Sequence, residues 1–209
     1  MDAMKRIEEL KLVPVIKLDR KDDASPLADA LCRGDLPVAE ITFRTDAASD
    51  SITEMKKHFP QMLVGAGTIV NLEQANRALD AGADFFVTPG FSRSLTEFAV
   101  DRNIPIFPGI CTPTELMLAL EYGLSVVKFF PASQFGGLNT IKALSAPFPQ
   151  IRFMPTGGIN QNNLANYLSF SKVIACGGSW MVKPELINNG EFDEVAALTR
   201  DARELIARL

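Results

Sequence analysis

Apolar and polar positions alternate along this chain with two interleaved periods. Short runs rich in Val, Ile and Phe begin at residues 13 (VPVIKL), 38 (VAEITF), 63 (LVGAGT), 85 (FFVTP), 105 (PIFPGI), 126 (VVKFF), 151 (IRFMPTG) and 173 (VIACGG). Segments of helical character separate them, which is the signature of βα units and a parallel sheet. The starts fall 20 to 25 residues apart, room for a strand, two short loops and a helix of about three turns. Such regularity is a repeat. Eight parallel units satisfy their sheet edges best by closing on themselves, so the pattern predicts an α/β fold, a (β/α)8 TIM barrel with an extra N-terminal helix near residues 3–10. Residues 1–209 are expected to form one domain. The alternative is an open doubly wound sheet, but no GxGxxG follows the first run.

Punctuation between the runs agrees. Asn71 is a helix N-cap for NLEQANRALDAG, with Gly82 at the C-terminal end. Thr112-Pro113-Thr114-Glu115 reads as a capping box with proline at the first helical position, and that helix should stop at Gly123. Further helices are expected over residues 160–170 and 192–209.

One charge interrupts the sixth run. Lys128 stands between Val127 and Phe129, and an ammonium in apolar surroundings must snorkel out, pair with a carboxylate or lose its proton. An uncharged amine attacks ketones to form a Schiff base. A solvated lysine on an edge strand is the structural alternative. Pro131 cannot donate to a sheet ladder, so the strand must end just beyond Lys128, at the end where barrels carry their chemistry.

The second run supplies a partner. Glu40, Thr42 and Arg44 share one parity, and Ala39, Ile41 and Phe43 the other. In a barrel the apolar parity covers the helices, so Glu40 and Arg44 are expected to point inward with Lys128. A structural ion pair with a rim arginine is the plainer account. Gly65-Ala66-Gly67-Thr68 would let a ligand approach the backbone, with Thr68 donating to a carboxylate beside Arg44. Thr156-Gly157-Gly158 and Gly177-Gly178-Ser179 close the last two runs. Glycine pairs there would expose consecutive N–H groups at helix N-termini, as in phosphate-binding barrels.

Composition narrows the field. A net charge of -4 with no basic patch argues against nucleic acid or a membrane surface as partner. No apolar run approaches the ~20 residues of a membrane span, and residues 1–10 are charged and amphipathic, so a cytoplasmic address is expected. Cys32, Cys111 and Cys176 have no CxxC spacing and are expected to be buried thiols. His58, the one histidine, is read as a surface residue at a helix end.

The ordered set EITFRT, GAGT, TPG, PGICTPTE, VKFFPA, PTGGI and GGSW resembles the 2-keto-3-deoxy-6-phosphogluconate (KDPG) / 4-hydroxy-2-oxoglutarate (KHG) aldolase family over nearly the whole chain. The resemblance implies a class I aldolase that acts on a small keto-acid phosphate without cofactor or metal, assembled as a homotrimer. By the same likeness Lys128 is the Schiff-base lysine, Glu40 the general acid/base, and Arg44 with Thr68 the holder of the pyruvate carboxylate. Pro89 would line the pocket, and the backbone around Thr156, Gly157, Gly158, Gly177, Gly178 and Ser179 would hold phosphate. Two other readings fit the same residues: a phosphosugar isomerase or epimerase with Glu40 as proton shuttle, and a sugar-phosphate binder without turnover.

Overall fold

A computed structural model describes residues 3–209. Its elements alternate as the pattern predicts. Helix α1 (Ala3–Leu10) leads into β1 (Leu12–Ile16), α2 (Ala24–Arg33), β2 (Val38–Thr42), α3 (Ala48–His58), β3 (Leu63–Gly67), α4 (Leu72–Asp80), β4 (Phe86–Val87) and α5 (Arg93–Asp101). The second half runs β5 (Ile106–Phe107), β6 (Gly109–Ile110), α6 (Pro113–Glu121), β7 (Val126–Phe129), α7 (Gly137–Ser145), β8 (Arg152–Pro155), α8 (Leu164–Leu168), β9 (Cys176–Gly178), α9 (Pro184–Asn188) and α10 (Phe192–Ala207).

All ladders are parallel. A curled six-stranded sheet has the order β5-β4-β3-β2-β1-β9, and a three-stranded sheet the order β6-β7-β8. The run from residue 105, expected as one strand, is divided at Pro108. With no N–H to offer, Pro108 interrupts the ladder: β5 pairs with β4, β6 with β7, and the Pro108 carbonyl accepts from Lys128 N at 2.9 Å. On the other flank, single bridges Phe153↔Val173 and Thr156↔Gly177 connect β8 to the β9 segment.

Every residue of β2 is buried, as in a parallel strand covered on both faces. The core follows from this layering: Ile41, Val64, Val127, Phe129 and Phe153 are fully buried. Local signals also act as read. The Asn71 side chain accepts from Gln74 N at 2.9 Å, and Gly82 turns the chain with a φ of 85°. Both halves of the Thr112–Glu115 capping box form, and Gly123 follows α6 with a φ of 71°. The helix expected over 160–170 shortens to α8, because Asn160 and Asn163 bond the local backbone and make a turn instead. His58 ends α3 in solvent beside Glu54.

The cysteine expectation needs correcting. Only Cys176 is buried; Cys111 is half-buried and Cys32 exposed on α2. Cys32 lies in the last turn of its helix, where the apolar stripe has passed to Ala30 and Leu31.

Candidate active site

Lys128 and Glu40 meet in the interior. Lys128 stands on β7, in register with Gly109 on β6 and Met154 on β8. Glu40 stands on β2, in register with Val15 and Gly65. Their side chains cross the space between the two sheets, with Lys128 Nζ 3.8 Å from Glu40 Oε1. The side chains are 5% and 0% exposed, so neither charge is relieved by water. Neither Glu40 oxygen accepts a hydrogen bond among the described residues. A buried carboxylate left in that condition is costly. Burial pushes the Glu40 carboxyl above its ordinary range, and the positive charges of Lys128 and Arg44 pull it back.

Two aromatic and glycine contacts shape this pair. The Lys128 ammonium lies 4.7 Å from the centroid of the Phe130 ring, a cation–π distance. Gly67 leaves room for the carboxyl, since a Cβ there would sit 2.2 Å from Glu40 Oε1.

Neither Lys128 nor Glu40 is in the wall of the nearby cavity of ≈ 180 Å³; it reaches the pair through Phe130, whose ring the Lys128 ammonium faces, and Val15, the register partner of Glu40. Arg44 lies on one rim, with Val15 and Phe130 in the wall; Thr156, Gly157, Gly158, Ile159, Gly177, Gly178 and Ser179 form the other side. The phosphate-type segments are therefore together, but their geometry differs from the expectation. Neither glycine pair opens a helix N-terminus. Gly157 and Gly158 take left-handed φ of 97° and 77° in a turn, and α8 starts only at Leu164. Gly177 and Gly178 belong to β9 itself. Backbone approach, not a helix dipole, makes this cradle.

Arg44 also departs from its expected place. β2 stops at Thr42, so the alternation that would aim Arg44 inward is lost in the following turn, and the residue is exposed at the mouth. Its Nε donates to Thr42 Oγ1 at 3.0 Å, and Thr42 Oγ1 donates to Ile16 O at 2.7 Å. Among the described residues its terminal nitrogens have no hydrogen-bond partner, leaving the fork available to an anion.

Thr68 and Pro89 are not in the cavity wall. Thr68 follows Gly67 on the Glu40 side with a φ of 57°, a rare conformation for a β-branched residue. The Pro89 backbone packs on Gly109, the register partner of Lys128, where a Cβ would meet Pro89 O at 2.3 Å. Phe130 and Val15 escaped the sequence reading. Phe130 shares the parity of Lys128, a signal that could have found it; Val15 looks like any core valine.

Among the described residues no group of three or more His, Cys, Asp or Glu could hold a metal ion. No helix among them is long and apolar enough to cross a membrane.

Comparison with known proteins defines the class. The KDPG and KHG aldolase family matches residues 3–198. The 2-dehydro-3-deoxy-phosphogluconate aldolase of Haemophilus influenzae is 46% identical over 203 residues, covering 97% of this chain and 96% of that protein. A KDPG aldolase from Legionella pneumophila, solved with pyruvate captured at low pH as a covalent carbinolamine intermediate, superposes with a TM-score of 0.92 at 38% identity over 96% of this chain and 97% of that one. The 2-keto-3-deoxy-6-phosphogluconate aldolase of Zymomonas mobilis with 3-phosphoglycerate gives 0.89 at 36% identity over 97% and 95%. These are aldehyde-lyases on an α/β scaffold. This chain belongs to the KDPG and KHG aldolase family.

Proposed function

We propose that the protein is a class I aldolase that cleaves 2-keto-3-deoxy-6-phosphogluconate to pyruvate and glyceraldehyde 3-phosphate, and 4-hydroxy-2-oxoglutarate to pyruvate and glyoxylate. The observation that carries this reading is the buried Lys128–Glu40 pair at 3.8 Å, with both carboxyl oxygens unbonded.

The Lys128 amine attacks the C2 ketone, and loss of water from the carbinolamine gives an iminium. Glu40, directly or through a water, takes the proton of the C4 hydroxyl. The C3–C4 electron pair flows into the iminium, the aldehyde leaves, and an enamine remains. Glu40 returns a proton to C3 and hydrolysis frees pyruvate. The iminium is the electron sink, so no step calls for a metal or cofactor. Arg44 suits the pyruvate carboxylate because its planar fork matches two oxygens, and Thr68 and Pro89, outside the cavity wall, back the pair from the Gly67 and Gly109 sides. The turn Thr156-Gly157-Gly158 and the strand end Gly177-Gly178-Ser179 take the substrate phosphate through backbone N–H groups.

The same reading extends to the scaffold. The division at Pro108 and the two bridges to the β9 segment support one closed (β/α)8 barrel domain spanning the chain, with α1 as its extra helix. Exposed apolar side chains on α4, α5 and α6, among them Leu72, Val100 and Met117, suit burial in a homotrimer. An exposed unpaired Cys32 suits the reducing cytoplasm.

Treatment with pyruvate and borohydride tests the chemistry. A reduced adduct on Lys128 by peptide mass mapping is expected, and its absence removes the Schiff-base mechanism. Pyruvate release from a panel of 2-keto-3-deoxy and 4-hydroxy-2-oxo acids, with EDTA present, then ranks substrates. Sedimentation velocity reads the assembly.

A further inference from the structure

Gly177 and Gly178 are small for two different reasons. A Cβ on Gly177 would lie 2.3 Å from Thr156 Oγ1, on the cavity side of β9. A Cβ on Gly178 would lie 2.1 Å from Cζ3 and 2.7 Å from Cε3 of Trp180. Successive residues of a strand face opposite ways, so the indole lies behind the strand while Thr156 lies in front of it. Gly178 is buried, borders the cavity, and has Pro14 of β1 in register beside it. Trp180 itself packs partly on the core. It also borders a second, open cavity of ≈ 360 Å³ with Asn160, Leu186 and Leu198. The ring is therefore a plate set against the back of the glycine segment, with Ser179 as the one residue between its own backbone and Gly178.

We infer that Trp180 is a positioning residue for the phosphate end of the substrate, acting through the backbone of Gly178 and Ser179. This rests on the aldolase reading of the same cavity. Backbone N–H groups bind an anion well only when held at a fixed spacing and angle, since misalignment weakens them steeply. A flat indole in contact with a residue that has no side chain leaves that backbone no room to retreat. Removing the ring opens space behind β9, and the segment relaxes into it. The loss falls on the phosphate end, because Lys128 and Glu40 stand on β7 and β2.

Trp180→Ala should raise KM for the phosphorylated keto acid about tenfold or more with kcat within about twofold, the pattern of lost binding shared by ground and transition states. KM for the unphosphorylated 4-hydroxy-2-oxoglutarate and the yield of borohydride-trapped pyruvate on Lys128 should stay at their original values. Trp180→Phe, which keeps a flat ring, should restore most of the affinity. An unchanged KM for the phosphorylated substrate, or equal rises for both substrates, would overturn the role. Trp180 is the sole tryptophan, so the unaltered protein offers a second readout that does not depend on the variant folding. Titration with inorganic phosphate should change its emission saturably, and a flat titration overturns the inference too. Failure of the unaltered enzyme to form a pyruvate adduct would instead strike the aldolase reading, leaving the phosphate titration as a separate result.

Discussion

Gly67 and Glu40 occupy adjoining space so tightly that the hydrogen of one stands where a methyl group would collide with the carboxyl of the other, at 2.2 Å. β3 passes beside β2 in continuous register from Val38↔Leu63 to Thr42↔Gly67. The Glu40 side chain leans along the strand towards the open end and rests over the glycine. A residue two positions from its own register partner thus fixes where the acid sits.

Gly67→Ala should displace that carboxyl without unfolding the chain, since φ at this position is not left-handed. A shift of about 1 Å at a catalytic group can cost ~10²-fold in rate. Turnover is expected to drop on that scale with an unchanged far-UV circular dichroism spectrum; full activity would mean that Glu40 is not the acting acid.

Glu40→Gln keeps shape and removes the acid. Turnover should fall by ~10²-fold or more, the usual worth of a positioned general base. The pyruvate adduct on Lys128 should still form, because attack on the ketone needs the amine. Mass spectrometry after borohydride reduction separates the two effects.

Burial raises the Glu40 pKa above its ordinary value of 4.5, which sets two pH dependences. As a base Glu40 must be ionised, so kcat should fall on the acid side through a pKa above 4.5. For stability the sign follows from proton binding. Between 4.5 and the raised value the folded chain holds a proton that the unfolded chain has released. Stability therefore falls as pH rises through that window and is regained below it. Urea midpoints at several pH values should show the unaltered protein gaining on Glu40→Gln as pH is lowered towards 4.5. A constant gap would contradict the direction of the shift.

Phe85 is fully buried, meets Phe107 edge-on at 5.8 Å, and fills the space above Gly65, where a Cβ would approach its ring to 2.2 Å. Phe85→Ala should cost ~3–5 kcal/mol of stability, read as a lower urea midpoint. An effect below about 1 kcal/mol would mean that the neighbouring side chains collapse into the space.

The eight apolar runs were legible because buried parallel strands need continuous β-branched and aromatic residues, and helix caps were legible because Asn71, Thr112 and Glu115 satisfy local donors. Lys128 and Glu40 could be read as interior only by joining period two to a closed barrel; Val126, Val127, Phe129 and Phe130 are apolar on both parities and by themselves left a solvated edge lysine open. Where a strand stops is a tertiary matter, and this misplaced Arg44: its parity is meaningful only if β2 continues past Thr42. The glycine pairs announced close approach but not to what. That Gly177 yields to Thr156 and Gly178 to Trp180 is visible only when β8 and β9 lie side by side. Pro108 warned of a break, yet only pairing shows that the two pieces serve different neighbours. Cys32 carried no local sign of its exposure.

The acid hangs from the six-stranded ladder and the amine from the three-stranded one, so the gap between them is held by the seams, namely one prolyl joint on one flank and two solitary bridges on the other. A substitution far from either reactive group that loosens a seam would widen that gap, disabling the chemistry while leaving each half of the scaffold intact.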